Sequence, residues 1–374
     1  MRLIRLIIIY INIIMNEKIF IQIASYRDTQ LFYTIQSAFK NSKYPENLVF
    51  CVCWQKDDTE TLYEYENNPQ VKLIKIPYEE SLGACWARNQ IQQHYNDEKY
   101  TLQLDSHHRF INNWDIILIE MYNQLKEKGH NKPLITTYLP SFNPEKDPEE
   151  RCMEAWKIDF KEKTFDKQVL FIPSVIPNFK SLTEPVKAKF YSAHFAFTTG
   201  EFAKEVQHDP ELYFTGEEMS ITVRAFTYGY ELFHPHKVIA WHEYTRSYRV
   251  KHWDNDTEWW KKDKHSKEHY LTIFNNYGKY GLGKEKTIEE YIEYSGIDFL
   301  TFDTTTNNDS TTTNNITINI SDDKIIYKKF DQEWRDWIKE NINTYKVSTE
   351  AVKKILIDAK FDPKYIDYEI NFFL

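Results

Sequence analysis

Glycine is scarce, with 9 in 374 residues, and neither G-x-G-x-x-G nor G-x-x-x-x-G-K-[ST] occurs. The common glycine-loop sites for dinucleotides and for P-loop phosphates therefore have no support. Cysteine is sparse too: Cys51, Cys53, Cys85 and Cys152 form no C-x-x-C pair. That pattern fits buried thiols in a reducing compartment and gives no disulfide framework. The chain lacks a long Lys/Arg block and carries a net charge of −9, which leaves nucleic-acid binding without its electrostatic footprint. A long apolar run is missing as well. The nearest, Leu6 to Ile14, is preceded by Arg2 and Arg5 and interrupted by Asn12. It falls short of the roughly 20 residues a spanning helix needs and has no small-residue cleavage site. Residues 1–16 are read as an apolar extension, either a start assigned upstream of Met15 or an anchor formed by residues 1–14. The expected compartment is cytoplasmic, with a membrane anchor as the alternative.

What the chain has in abundance is aromatic side chains, 26 Tyr, 24 Phe and 10 Trp, enough to build a sizeable core. From Lys18 onward, strand-like and helix-like runs alternate. Strands are expected at 19–24, 48–54, 71–76 and 100–104, and helices at 30–39, 83–95 and 114–126. Such alternation predicts an α/β fold, a mostly parallel sheet covered on both faces, with ligands bound beyond the carboxyl ends of its strands. Asp105-Ser106-His107 stands at one of those ends. Two residues apart, Asp105 and His107 share a face and offer a carboxylate oxygen and an imidazole nitrogen to a divalent cation, with most of the coordination sphere left open. Residues 140–185 read as loop-rich, and 190–248 return to mixed strands and helix. The polar stretch from Thr304 to Asn315 cannot bury a core and reads as part of a linker, 301–323. A small helical appendage is expected over 324–374.

Four stretches then fall into order: Ser25-Tyr26-Arg27-Asp28, Gly83-Ala84-Cys85-Trp86-Ala87-Arg88-Asn89, Leu104 to Phe110 with Asn113-Trp114-Asp115, and Phe214-Thr215-Gly216-Glu217-Glu218 running on to Trp241-His242-Glu243-Tyr244-Thr245-Arg246. The tail Tyr280-Gly281-Leu282-Gly283 with Tyr291 to Phe299 joins them. Over about residues 17–300 the sequence resembles the GlcNAc-transferase family of GT-A-fold enzymes, which glycosylate hydroxyproline on a cytoplasmic ubiquitin-ligase subunit in protists. Thr29 and Ala84 stand where that family often has proline, and His108 where it often has an apolar residue.

The resemblance implies a GT-A glycosyltransferase domain with a Rossmann-like nucleotide-binding mixed sheet over 17–300. It implies UDP-GlcNAc as donor and a hydroxyl acceptor, hydroxyproline or Ser/Thr, with retention of anomeric configuration. Mn2+ is the implied cation, with Mg2+ a poorer substitute, held by Asp105, His107 and a later histidine matched by His242. Asp105 also counts among the catalytic residues, with Glu217 and Glu218 facing donor sugar and acceptor. Glu217 is expected to touch substrate, while the other carboxylate caps the following helix. Ser25, Tyr26, Arg27 and Asp28 are placed with the uridine, Gln55 and Asp57 with base or ribose, and Arg88 and Arg246 with the diphosphate. The expected partners are a nucleotide-sugar donor and a protein or glycan acceptor, without nucleic acid. Another UDP-sugar on the same fold, or a catalytically silent nucleotide-sugar-binding adaptor, are the alternatives.

Overall fold

The computed structural model describes residues 17–164, 168–245, 249–301, 332–344 and 347–359, together with Phe361, Ile366 and Ile370. The expectations for residues 1–16, for most of the linker and for Arg246 lie outside the described residues. The chain divides into two compact units, Met1–Thr306 and Asn307–Leu374.

In the first unit the elements run β1 (Ile19–Tyr26), α1 (Leu31–Asn41), β2 (Leu48–Lys56), β3 (Val71–Pro77), α2 (Ala84–Gln92), β4 (Tyr100–Leu104), β5 (His108–Phe110), α3 (Trp114–Glu127) and β6 (Pro133–Thr136). There follow β7 (Trp156–Lys163), β8 (Val169–Val175), β9 (Val186–Lys187), β10 (Phe195–Thr199), α4 (Phe202–Glu205), α5 (Glu217–Thr227), β11 (Glu231–His234), β12 (Ala240–His242), α6 (His252–Asn255), α7 (Trp259–Ile273) and α8 (Ile288–Ser295). Eight strands form the main sheet in the order β3-β2-β1-β4-β10-β6-β11-β9.

The α/β class is the expected one, and the strand runs read from the sequence fall within β1 to β4. The sheet is mixed rather than mostly parallel. β1 runs parallel to β2 and β4, whereas β10 inserts antiparallel between β4 and β6, and β9 is antiparallel to β11. Strand direction depends on how the chain returns from residues 140–190, which apolar periodicity does not report. That stretch also holds more order than expected: β7 and β8 form an antiparallel hairpin within it. Helix α2 ends at Gln92, three residues before the expected end.

Burial explains the strand sequences. Central β1 is covered on both faces and reads as a nearly unbroken apolar run, while β3 at the sheet edge buries only Val71 and leaves its other residues partly or fully exposed. One core layer joins β1, β2 and β4 to α1 and α3 through Ile21, Ile35, Phe50, Leu102 and Trp114. On the other face Phe20, Cys51 and Cys53 meet Ala87 and Ile91 of α2. All four cysteines are free thiols, three of them buried and Cys152 partly exposed.

A small second sheet positions the site. β12 pairs antiparallel with β5, setting His242 opposite His108 and Trp241 opposite Arg109. The Glu243 amide donates to the His107 carbonyl at 3.2 Å, and the His242 amide to Pro140 at 3.0 Å. This ladder carries His242 to the end of β4, although 137 residues separate it from Asp105.

The second unit contains α9 (Gln332–Lys339) and α10 (Thr349–Asp358). Ile338, Ile342, Val352 and Leu356 bury a core of their own. Among the described residues no helix is long and apolar enough to cross a membrane.

Candidate active site

A cavity of about 440 Å³ opens at the carboxyl ends of β1 and β4. Its lining includes Tyr26, Asp28, Gln55, Arg88, Asp105, His107, Glu217, Glu218 and His242, so residues drawn from β1 to β12 converge on one space. Ser25, Arg27 and Asp57 are not in that lining. The Ser25 side chain is fully buried, and its carbonyl accepts from Gln55 Nε2 at 3.1 Å. Arg27, at φ +46°, turns to Asp57 in an ion pair of 2.8 Å and covers the Tyr78 ring at 4.4 Å. Ser25 thus bonds across the β1–β2 strand ends, and Arg27 and Asp57 tie the adjoining loops to each other.

Asp105, His107 and His242 each present a donor atom within 4.8 Å of the others. Asp105 Oδ2 lies 3.7 Å from His107 Nε2 and 3.4 Å from His242 Nε2. Asp28 accepts from His107 Nδ1 at 2.7 Å and from the Ser106 hydroxyl at 2.8 Å. Asp28 stands at Nδ1 of His107, the usual partner of a ligating imidazole, while Nε2 has Asp105 Oδ2 at 3.7 Å and Arg249 Nη1 at 2.9 Å. Burial pushes the Asp105 carboxyl up, but the His242 hydrogen bond and the nearby Arg88 and His107 overcome it and hold the group well below its ordinary value. Burial and the neighbouring His194, whose ring stacks at 4.1 Å and 17°, keep the His242 imidazole neutral. One ionised carboxylate and two imidazole nitrogens make a donor set suited to a transition-type divalent cation such as Mn2+. His242 Nδ1 is buried with no partner among the described residues.

Arg88 is neither on the surface nor free for a phosphate. Almost fully buried, it donates to Asp105 Oδ1 at 2.6 Å, Glu217 Oε1 at 2.6 Å and the Ala193 carbonyl at 2.6 Å. Glu217 is correspondingly committed, since its Oε1 also lies 3.0 Å from His208 Nδ1. Burial raises the Glu217 pKa, but Arg88 and His208 outweigh it and hold the carboxyl below its ordinary value.

Glu218 is the carboxylate with different surroundings. It lies in the first turn of α5 and accepts from the Ala193 amide at 3.0 Å and from the Tyr138 hydroxyl at 2.6 Å. Burial pushes it up to about 7, against the pull of those two hydrogen bonds. Gly216, at φ +87°, turns the chain into α5 so that both carboxylates face inward.

Several site residues escaped the sequence. Arg249 Nη1 lies 3.2 Å from Asp28 Oδ2 and 2.5 and 2.9 Å from the two ring nitrogens of His107. It lines the cavity, three residues beyond the Arg246 expected there. His194, Tyr138 and His208 arrive from segments with no motif around them. His108, at a position where the family often has an apolar residue, is fully buried with its Nδ1 3.0 Å from the Asp105 carbonyl.

The structure is similar to that of GalNAc-T7 with UDP, GalNAc and Mn2+, at 16% identity and a TM-score of 0.48, over 75% of this chain and 54% of that one. The chain thus spans about half the length of the GalNAc-T7 chain. It is also similar to S. aureus TarS 1-349 in complex with UDP-GlcNAc, at 12% identity and a TM-score of 0.42, over 70% of this chain and 68% of that one. No curated protein matches the chain by sequence. The family model described as Glycosyltransferase (GlcNAc) matches residues 18–68 and 62–276, the part that builds the main sheet and the cavity. The chain belongs to that glycosyltransferase family.

Proposed function

We propose that the protein is a metal-dependent, retaining glycosyltransferase of GT-A type that moves GlcNAc from UDP-GlcNAc to a protein hydroxyl, on hydroxyproline or Ser/Thr. The observation that carries this reading is the convergence of Asp105, His107 and His242 on the floor of the cavity, within a chain of the GlcNAc glycosyltransferase family. These three residues would hold the cation, with Asp28 orienting His107 and Arg88 orienting Asp105. When bound, Mn2+ supplies Lewis-acid neutralisation of the charge on the departing diphosphate.

The remaining work falls to the chain. Tyr26 and Gln55, at the ends of β1 and β2, line the side of the cavity assigned to the nucleoside. Arg249 supplies the guanidinium beside the diphosphate, the role the sequence reading gave to Arg246. Glu217 is locked by Arg88 and His208 and so makes a poor nucleophile. This supports a same-face displacement in which the acceptor oxygen bonds to C1 as the C1–diphosphate bond breaks, and the acceptor proton passes to the leaving diphosphate. Glu218, at the cavity wall beside Tyr138, would accept a hydrogen bond from a sugar or acceptor hydroxyl.

The test is a side-by-side donor assay with Mn2+, reading UDP release, followed by mass spectrometry of peptides containing hydroxyproline, Ser or Thr. The expected result is preference for UDP-GlcNAc over UDP-Glc and UDP-Gal, with addition of one HexNAc to peptide. Preference for another donor would reject the sugar, and absence of UDP release from every donor would favour a silent binding protein.

A further inference from the structure

We infer that the turn at Asp209–Glu211 and the facing side of α7 form a second divalent-metal site, for a borderline cation of the Zn2+ class, outside the sugar-nucleotide cavity. None of its four residues lines that cavity.

His265 and His269 stand four apart on α7 and therefore share a face. Their rings are nearly parallel, 9° apart, with centroids 6.1 Å apart. Opposite them lie two carboxylates from one turn. His269 Nε2 is 2.7 Å from Asp209 Oδ2, and His265 Nε2 is 3.1 Å from Glu211 Oε2. That same Glu211 oxygen is 3.9 Å from His269 Nδ1. Asp209, Glu211 and His269 each place a donor atom within 4.8 Å of the others. Ligands held at Zn–N and Zn–O lengths around a tetrahedral centre stand roughly 3.3 Å apart, so these separations need only small side-chain adjustments.

The turn is set before any cation arrives. The Asp209 side chain is only 3% exposed, and its Oδ1 accepts the Glu211 amide at 3.0 Å, which leaves Oδ2 turned to His269. The Leu212 amide closes the turn onto the Asp209 carbonyl at 3.1 Å. Glu211 and His265 are exposed and give a path in from solvent. One carboxylate of the turn stands at each imidazole, and Asp209, Glu211 and His269 offer one donor atom each close enough to share a cation, with the exposed His265 reaching it from the Glu211 side. Two imidazoles with two carboxylates select Zn2+-like ions over Ca2+ and Mg2+, which prefer all-oxygen shells.

Occupancy would fasten this turn to α7 next to the cavity wall. His208, which contacts Glu217, immediately precedes Asp209. The Tyr213 amide donates to Ser266 Oγ at 2.9 Å, between the two α7 histidines in sequence, and Tyr213 lines the cavity. The site does not depend on the proposed donor or acceptor.

The test uses the full chain, stripped with chelator and loaded with Zn2+, with bound metal measured by elemental analysis. His107→Ala/His242→Ala serves as the background that removes the catalytic donor set. One equivalent of Zn2+ should remain there and be lost when His265→Ala/His269→Ala is added. Zn2+ should also raise the melting temperature of the background chain and not of the chain carrying all four substitutions. His265→Gln/His269→Gln, which keeps side chains able to hydrogen-bond the carboxylates, distinguishes loss of a ligand from loss of fold. Co2+ should give the visible absorption of a tetrahedral centre in the background chain alone. Equal Zn2+ content and equal melting response with and without His265 and His269 would overturn the site.

Discussion

Arg88 is the residue on which two carboxylates of the cavity, Asp105 and Glu217, depend. One guanidinium neutralises both Asp105 and Glu217 in a buried setting. Removing a partner from a buried pair strands the charge that remains. Arg88→Met should therefore cost about 3–5 kcal/mol of stability in urea unfolding, and unchanged stability would mean that the two carboxylates find other partners. Glu218 gives a pH signature. Its carboxyl is raised to about 7 from the ordinary 4.5, so between those values the folded chain holds a proton that the unfolded chain has released. Stability contributed by this group is complete below pH 4.5 and is lost as pH rises through 7. The melting temperature of Glu218→Gln should accordingly fall less between pH 5 and pH 8 than that of the natural chain, as read by calorimetry, and parallel curves would place the titration elsewhere. Asp105, His107, Glu217 and Glu218 were legible because each sits within a short motif. Arg88 was legible as a cation but not in its contacts, since its partner Glu217 is 129 residues away and only the folded chain brings them together.

At the scale of elements, the turn into α5 decides where Glu217 and Glu218 point. A Cβ on Gly216 would lie 2.7 Å from Tyr270 Cδ2 and 3.0 Å from Gln168 Oε1, at a φ of +87°. Gly216→Ala should cost roughly 1–3 kcal/mol and reduce UDP release with it. Gly129→Ala is the comparison, because Gly129 also has positive φ but nothing within 4 Å of the added atom. Equal losses in melting temperature would show that the clash at Gly216 has no effect of its own. The β12–β5 ladder is the other deciding element. Strands β1, β2 and β4 were readable as apolar runs, whereas β5 and β12 have three residues each, too few for a periodic signal. Their pairing delivers His242, so the third donor was reachable only through the W-H-E-Y match. The same limit hid the direction of β10, because an apolar strand reads alike in either orientation.

For the whole molecule, a mixed sheet places its strand ends around one cavity, and chain segments distant in sequence supply its donors, cations and wall. The α/β class and the position of the site at the strand ends follow from local periodicity. The convergence of Arg249, His194 and Tyr138 follows from long loops whose course no local pattern specifies. The central claim is that Asp105, His107 and His242 would hold a divalent cation, which would supply neutralisation of the charge on the departing diphosphate. Its most direct test is UDP release from UDP-GlcNAc, titrated with Mn2+, for the natural chain, His107→Ala and His242→Ala. His107→Ala should lose at least about a thousandfold in UDP release, in line with several kcal/mol of Lewis-acid stabilisation. His242→Ala should need more Mn2+, and the natural chain should lose activity on chelation. UDP release by His107→Ala that persists with chelator present would contradict a cation held by these residues.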